Sequence, residues 1–169
     1  MSDTLVTIVA IGLAAVLMFV FPLMTMSDRT DDVSKLTVET ATTEFVDEIR
    51  TTGKITPDKY SKFIENIGST GNTYDVEMEV KVKDENPGKK TTQTAKDKIG
   101  ENVYYSVYTS QIEEKLNANQ DYKLKEGDIV SVDVKNTNQT LSQQLKNFFY
   151  SVVGKDTYTI AASHAGIVT

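Results

Sequence analysis

The chain has 169 residues and a net charge of −6, with 25% charged and 39% hydrophobic residues and no cysteine. Its lysines are interleaved with acids and form no basic block, which excludes a nucleic-acid footprint, and without cysteine there is no disulfide framework, thiol nucleophile or Cys-rich zinc site. No charge occurs between Asp3 and Asp28, so the opening and the remaining ~140 residues, enough for one domain, answer to different solvents.

Residues 1–27 read as a hydrophobic N-terminal helix. The 24 residues from Thr4 to Ser27 are uncharged; as a helix rising about 1.5 Å per residue they would run roughly 36 Å, enough to cross a bilayer. A secretory signal would have a basic front and a small-residue cleavage site, and Met1-Ser2-Asp3 supplies no positive front. The nearest cations, Arg29 and Lys35, flank the side of the large domain, a pattern that would keep that domain inside the cell. Removal of a short basic leader ahead of Met1 is one arrangement that would resolve the conflict. Pro22 frees backbone carbonyls around Ala14 to Met18, and Gly12 has low helix propensity. The stretch is expected either to kink as a lone membrane helix or to melt into an extended segment on packing.

The polar opening, the run Val9-Ala10-Ile11-Gly12-Leu13-Ala14-Ala15 and the placing of Pro22 resemble the N-terminal helix of mature type IV pilins, over about 25 residues. This resemblance implies a packing surface for identical subunits made of Asp3, Leu5, Ile8, Val9, Ile11, Gly12, Leu13, Val16, Leu17, Phe19, Val20, Phe21, Pro22 and Leu23. It also implies the cytoplasmic membrane and a pilus assembly machinery as partners before the subunit joins an extracellular homopolymer. Pilins usually carry a glutamate at the fifth position, where it helps neutralise a neighbour's N-terminal amine; this chain has Leu5 there and Asp3 nearby. Asp3 either takes that role, since an acid in hydrocarbon demands a partner, or sits in the headgroup layer. The stretch from Glu44 to Val80 also resembles TadE-like and pilin-like membrane proteins of Firmicutes, a likeness that assigns no residue a role.

Residues 28–52 continue the helix onto the domain. Val33, Leu36, Ala41, Phe45 and Ile49, widened by Val38, Thr42 and Val46, form an apolar stripe, with Asp31, Asp32, Glu39, Glu44, Asp47 and Glu48 facing away. Residues 53–169 form the globular part. After Gly53, Thr56-Pro57 predicts an N-cap with proline at the first helical position, opening a short helix with Tyr60, Phe63, Ile64 and Ile67 on one face and an end at Gly68. From Tyr74 to Lys83 apolar and charged residues alternate, the pattern of a half-buried strand. Asp84 to Glu101 is a polar loop and Val103 to Tyr108 a strand. Ser110-Gln111-Ile112-Glu113 has capping-box form ahead of a helix bearing Ile112 and Leu116. Strands near Tyr122–Lys125 and Ile129–Asn136 are predicted to pair as a hairpin through the turn Glu126-Gly127-Asp128. Leu141, Leu145, Phe148, Phe149 and Val152 mark a helix ended by Gly154, and Tyr158 to Ser163 a last strand.

Site chemistry is sparse. The single histidine, His164, lies at the end of the chain, where a general base or metal site would need converging partners. No phosphate loop, HExxH, GxSxG or EF-hand pattern occurs, so no cofactor, metal or catalytic activity is expected. Asn138-Gln139-Thr140 fits the N-glycosylation acceptor pattern. Tyr104, Tyr105, Tyr108, Tyr122, Tyr150 and Tyr158 serve either sheet packing or subunit contacts.

The expected fold class is α+β: a long hydrophobic helix leading into a mainly antiparallel sheet with short helices on one face. The expected function is that of a pilin-like structural subunit, membrane-held before assembly and then part of a filament on the cell surface. The alternative is a single-pass, membrane-anchored, non-catalytic component of a secretion or conjugation apparatus, and an anchored enzyme is the third reading.

Overall fold

The computed structural model describes residues 2–85, 104–150 and 159–169. Helix α1 runs unbroken from Ser2 to Thr52, about 76 Å at 1.5 Å per residue, and leads into an α+β domain. β1 (Lys54–Ile55), α2 (Pro57–Gly68), β2 (Tyr74–Lys83), β3 (Tyr104–Tyr108), α3 (Thr109–Asn117), β4 (Tyr122–Lys123), β5 (Ile129–Asn136), α4 (Leu141–Tyr150) and β6 (Ala161–Ile167) follow. The expected loop residues beyond Glu85, together with Val103, Val152, Gly154 and Tyr158, lie outside the described residues, as do the side chains of Phe148, Phe149 and Tyr150.

Four strands pair in the order β3-β2-β5-β6, every pair antiparallel. The alternation along β2 works as its period of two predicts: Val76, Met78 and Val80 are buried on one face, while Asp75, Glu77, Lys81 and Lys83 stand exposed on the other. Val130, Val132 and Val134 of β5 are buried opposite them. Against this inner face lies the second half of α1, with Val38, Ala41, Phe45, Val46 and Ile49 buried in the same core. α2 closes one side: Phe63 stacks on Phe45 with ring centroids 4.4 Å apart. Each fully buried aliphatic or aromatic side chain contributes about 1.5–3 kcal/mol by leaving water.

Local chemistry sets the joints. Gly53 takes φ 63°, the left-handed conformation suited to glycine at a helix end. Its N–H donates to the Ile49 carbonyl at 2.8 Å and its carbonyl accepts from Leu124 N–H at 2.8 Å. Thr56 caps α2 by accepting from Lys59 N–H at 3.3 Å. In α2, Phe63 and Ile67 are buried as expected, whereas Ile64 is exposed.

Several expectations are corrected. β4 and β5 are not a hairpin: β4 pairs with β1, and β5 lies between β2 and β6. The turn itself exists, with Gly127 at φ 91° and Asp128 N–H donating to the Lys125 carbonyl at 3.0 Å, but it hands the chain from one sheet to the other. α3 begins at Thr109, and its cap falls two residues earlier than Ser110: Gln111 Oε1 accepts from Tyr108 N–H at 3.2 Å. The last strand is Ala161–Ile167, later than the expected Tyr158–Ser163.

The face of α1 also differs. Val33 and Leu36 are 60% and 64% exposed, while Ser27, Asp31 and Ser34 are buried. At helical spacing these three continue the line of Val38, Ala41, Phe45 and Ile49, so the domain-facing stripe is apolar at its far end and polar where the helix leaves the domain.

Candidate functional site

The first 25 residues of α1 stand clear of the domain. Asp3, Leu5, Ile8, Val9, Ile11, Gly12, Leu13, Val16, Leu17, Phe19, Phe21, Pro22 and Leu23 are all exposed and Val20 is half-exposed. The large apolar ones range from Val16 at 40% to Met18 at 74%. A side chain built on Gly12 would meet nothing within 4 Å. The structure thus presents these residues around the whole circumference of one rod and, among the described residues, leaves them largely uncovered. This is one helix long and apolar enough to cross a membrane, among the described residues.

An apolar surface of this extent is compatible with a transmembrane helix, and its backbone and hydroxyls suit an apolar medium. All main-chain groups of a helix interior bond within the segment, except near Pro22, which cannot donate to the carbonyl four residues earlier. Thr7 Oγ1 donates to the Asp3 carbonyl at 2.7 Å and Thr25 Oγ1 to the Phe21 carbonyl at 3.0 Å, so these hydroxyls need no external partner.

Where the rod meets the domain, a polar joint replaces the hydrophobic core. Thr140 Oγ1 donates to Asp31 Oδ2 at 2.6 Å, Ser142 Oγ donates to Asp28 Oδ1, and Lys146 Nζ lies 2.5 Å from Asp28 Oδ1. Thr140 also begins α4 with a capping box: Gln143 N–H donates to Thr140 Oγ1 at 3.2 Å, and Gln143 Oε1 accepts from Thr140 N–H at 3.0 Å. Burial pushes the Asp31 carboxyl above the usual carboxylate range against the opposing Thr140 bond, and the nearby Asp28 charge adds to the rise. For Asp28, loss of solvent raises the carboxyl, but the bonds from Lys146 and Ser142 outweigh it and hold it below that range. Sequence reasoning places Asp31 on the outward face and misses this joint; its one readable signal is the spacing Thr140-x-x-Gln143.

The other singled-out residues are dispersed. His164 Nε2 lies 3.8 Å from Asp47 Oδ1. Tyr122 is buried beneath the Lys115 ammonium, 5.0 Å from its ring centroid, whereas Tyr104, Tyr105 and Tyr108 are exposed on β3. Asn138 is held by its neighbours: Nδ2 donates to Asn72 Oδ1 at 2.9 Å and Oδ1 accepts from Thr73 N–H at 3.0 Å. Among the described residues no group of three or more histidines and acids is placed to hold a metal.

Among the described residues the geometry therefore offers an extended exposed apolar surface, the rod, continuous through α1 with the domain core. No family model, no curated protein and no solved structure matches this chain.

Proposed function

We propose that the chain is a pilin-like structural subunit whose apolar helix lies in the membrane before assembly and then packs against copies of itself in an extracellular helical filament. The observation that carries this reading is the exposure of Val33 and Leu36, 60% and 64%. They lie roughly 15–20 Å along the helix from Leu23, at about 1.5 Å per residue, beyond the stretch that a bilayer needs. A lipid anchor has no use for apolar side chains there. Identical neighbouring helices do, and the polar face of α1 at that level, Asp31 and Ser34, is turned to its own domain.

The energetics fit two environments. Against copies in water-exposed material, apolar burial at about 25 cal/mol per Å² stabilises the packed helices by tens of kcal/mol gross. Inside lipid that term vanishes, and close packing at Gly12, Ala14 and Ala15 is what remains, so extraction needs an assembly machinery. A rod repeated along an axis makes a heterologous, non-closing contact, which gives fibres.

The test is electron microscopy of material sheared from cells that make this chain, with immunogold labelling of the domain, for the wild type and for Val33→Ser with Leu36→Ser. Labelled filaments in the wild type, lost in the double variant while its thermal unfolding in detergent is unchanged, support the reading. Absence of labelled filaments from wild-type cells, with the chain recovered as a detergent-soluble monomer, supports the single-pass anchor instead.

A further inference from the structure

The outer face of β2 is sorted by charge along its length. Asp75, Glu77 and Glu79 come first, then Lys81 and Lys83, all five on the face turned away from the core by the period of two. Register adds Asp133 beside Glu77 and Lys135 beside Asp75. Two grooves of about 410 and 480 Å³ open on the acidic half and share Glu77 and Asp133. Among the described residues Asp75, Glu77 and Asp133 make no ion pair.

At the opposite end of the strand lysines arrive from separate elements. Lys83 of β2, Lys115 of α3, Lys123 of β4 and Lys125 line a groove of about 370 Å³. Its acids are largely occupied: Glu85 pairs with Lys125 at 2.8 Å, and the two Asp128 carboxylate oxygens accept from Lys83 N–H and Lys125 N–H at 3.0 and 2.8 Å. Asp84 also lines this groove. Lys83, Lys115 and Lys123 make no ion pair among the described residues.

This polarity runs along α1. At the acidic end, Thr137 N–H donates to the Thr73 carbonyl just before β2, and Thr140, three residues on, bonds Asp31 of α1. At the lysine end, Arg50 Nε donates to the Ile167 carbonyl at 3.0 Å; Ile167 pairs with Ile129, which pairs with Lys81. From Asp31 to Arg50 the helix rises about 28 Å, and from Asp75 to Lys83 the strand covers about 26 Å. The domain thus carries its acid near the level where α1 leaves for the apolar rod and its converging lysines near the level where α1 ends.

We infer that successive copies stack head to tail along α1, the lysine end of one domain seated on the acidic outer-sheet grooves of the next. The inference rests on the filament reading and names the partner surface within it. A second copy is the occupant that the charges fit: among the described residues one end carries Asp75, Glu77 and Asp133 and the other Lys83, Lys115 and Lys123, none of them in an ion pair, and an axis with unlike ends admits only the heterologous contact of a growing polymer.

The test uses the full chain made in cells, with filament yield measured by electron microscopy of sheared material and folding checked by thermal unfolding in detergent. Lys81→Glu with Lys83→Glu sets like charges at the contact, as does Asp75→Lys with Glu77→Lys; each pair should cut yield at least about tenfold. Combining all four substitutions restores opposite signs and should return yield to within about twofold of wild type. The neutral pair Lys81→Gln with Lys83→Gln, free of any folding hazard from reversed charge, should lower yield about threefold. Filaments that tolerate both reversals overturn the stacking and leave the polymer reading intact. A fourfold variant no better than either reversal also overturns the stacking. Wild-type cells without filaments overturn both.

Discussion

Arg50 lies across the backbone of Gly166: a Cβ at position 166 would come within 2.2 Å of Arg50 Cδ. The arginine uses this position to donate from Nε to the Ile167 carbonyl and from Nη1 to Asp47 Oδ1 at 2.8 Å, fastening β6 to the end of α1. The absent side chain is what lets the helix and the last strand meet. Gly166→Ala should displace Arg50 and cost about 1 kcal/mol, a fall in Tm of about 2–4 °C for the full chain in detergent. In an Arg50→Ala background the same change should cost almost nothing, and a double-mutant cycle measures the difference.

Core and surface positions on the same helix should separate stability from assembly. Ile49 is fully buried and Leu36 is 64% exposed. Ile49→Ala should destabilise the domain by about 3 kcal/mol. Leu36→Ala should leave the unfolding curve within about 0.5 kcal/mol of wild type while lowering filament yield. A Leu36→Ala variant that melts early would place this residue in a contact within its own chain.

The polar joint gives two opposite pH dependences. Asp31 has a raised carboxyl, so between the ordinary aspartate value of about 3.9 and its higher folded value the native state holds more protons, and its contribution to stability falls as pH rises through that window. Asp28 has a lowered carboxyl; its contribution is present above the ordinary value and is lost as pH falls through the folded one. Asp31→Asn, which keeps an oxygen for Thr140, should be neutral or stabilising at pH 7 and should lose that advantage below the window. Asp28→Asn leaves Lys146 unpaired and should cost about 0.5–1 kcal/mol at pH 7, with the gap closing in acid. Urea melts across pH 2.5 to 8 read both slopes.

Thr140 joins the cap of α4 to Asp31 through one hydroxyl. Thr140→Val removes both bonds and leaves a buried carboxylate less satisfied, at a cost of about 2 kcal/mol. Thr140→Ser retains the hydroxyl and should cost less than half as much. A larger loss from Thr140→Ser than from Thr140→Val, which keeps the methyl, would mean that the methyl packing, not the hydroxyl, matters.

What was legible in the sequence was what depends on short-range periodicity. The alternation from Tyr74 to Lys83 and the Thr56-Pro57 start of α2 read directly into strand and helix, because each signal is complete within a few residues. The strand partners of β4 and β5 were not legible: Gly127 marks a turn, but β4 finds its partner in the two-residue β1, too short to carry a pattern of its own. Helical periodicity alone puts Val33 and Leu36 in the core, because hydrophobicity does not say what will cover a side chain. Charge alone puts Asp31 in solvent for the converse reason, since its burial depends on a hydroxyl 109 positions away. The lysine end was invisible because Lys83, Lys115, Lys123 and Lys125 are scattered in sequence and converge only when α3 and β4 fold beside the end of β2.

The unbroken run of α1 from Ser2 to Thr52 has a mechanical corollary. No hinge separates the rod from the core, so tension on the rod enters the domain as sliding of Val38, Phe45, Val46 and Ile49 over β5 and β6. Load is then shared by β5 and β6 together rather than peeling one strand after another, and yielding requires all of those side chains to leave their neighbours together.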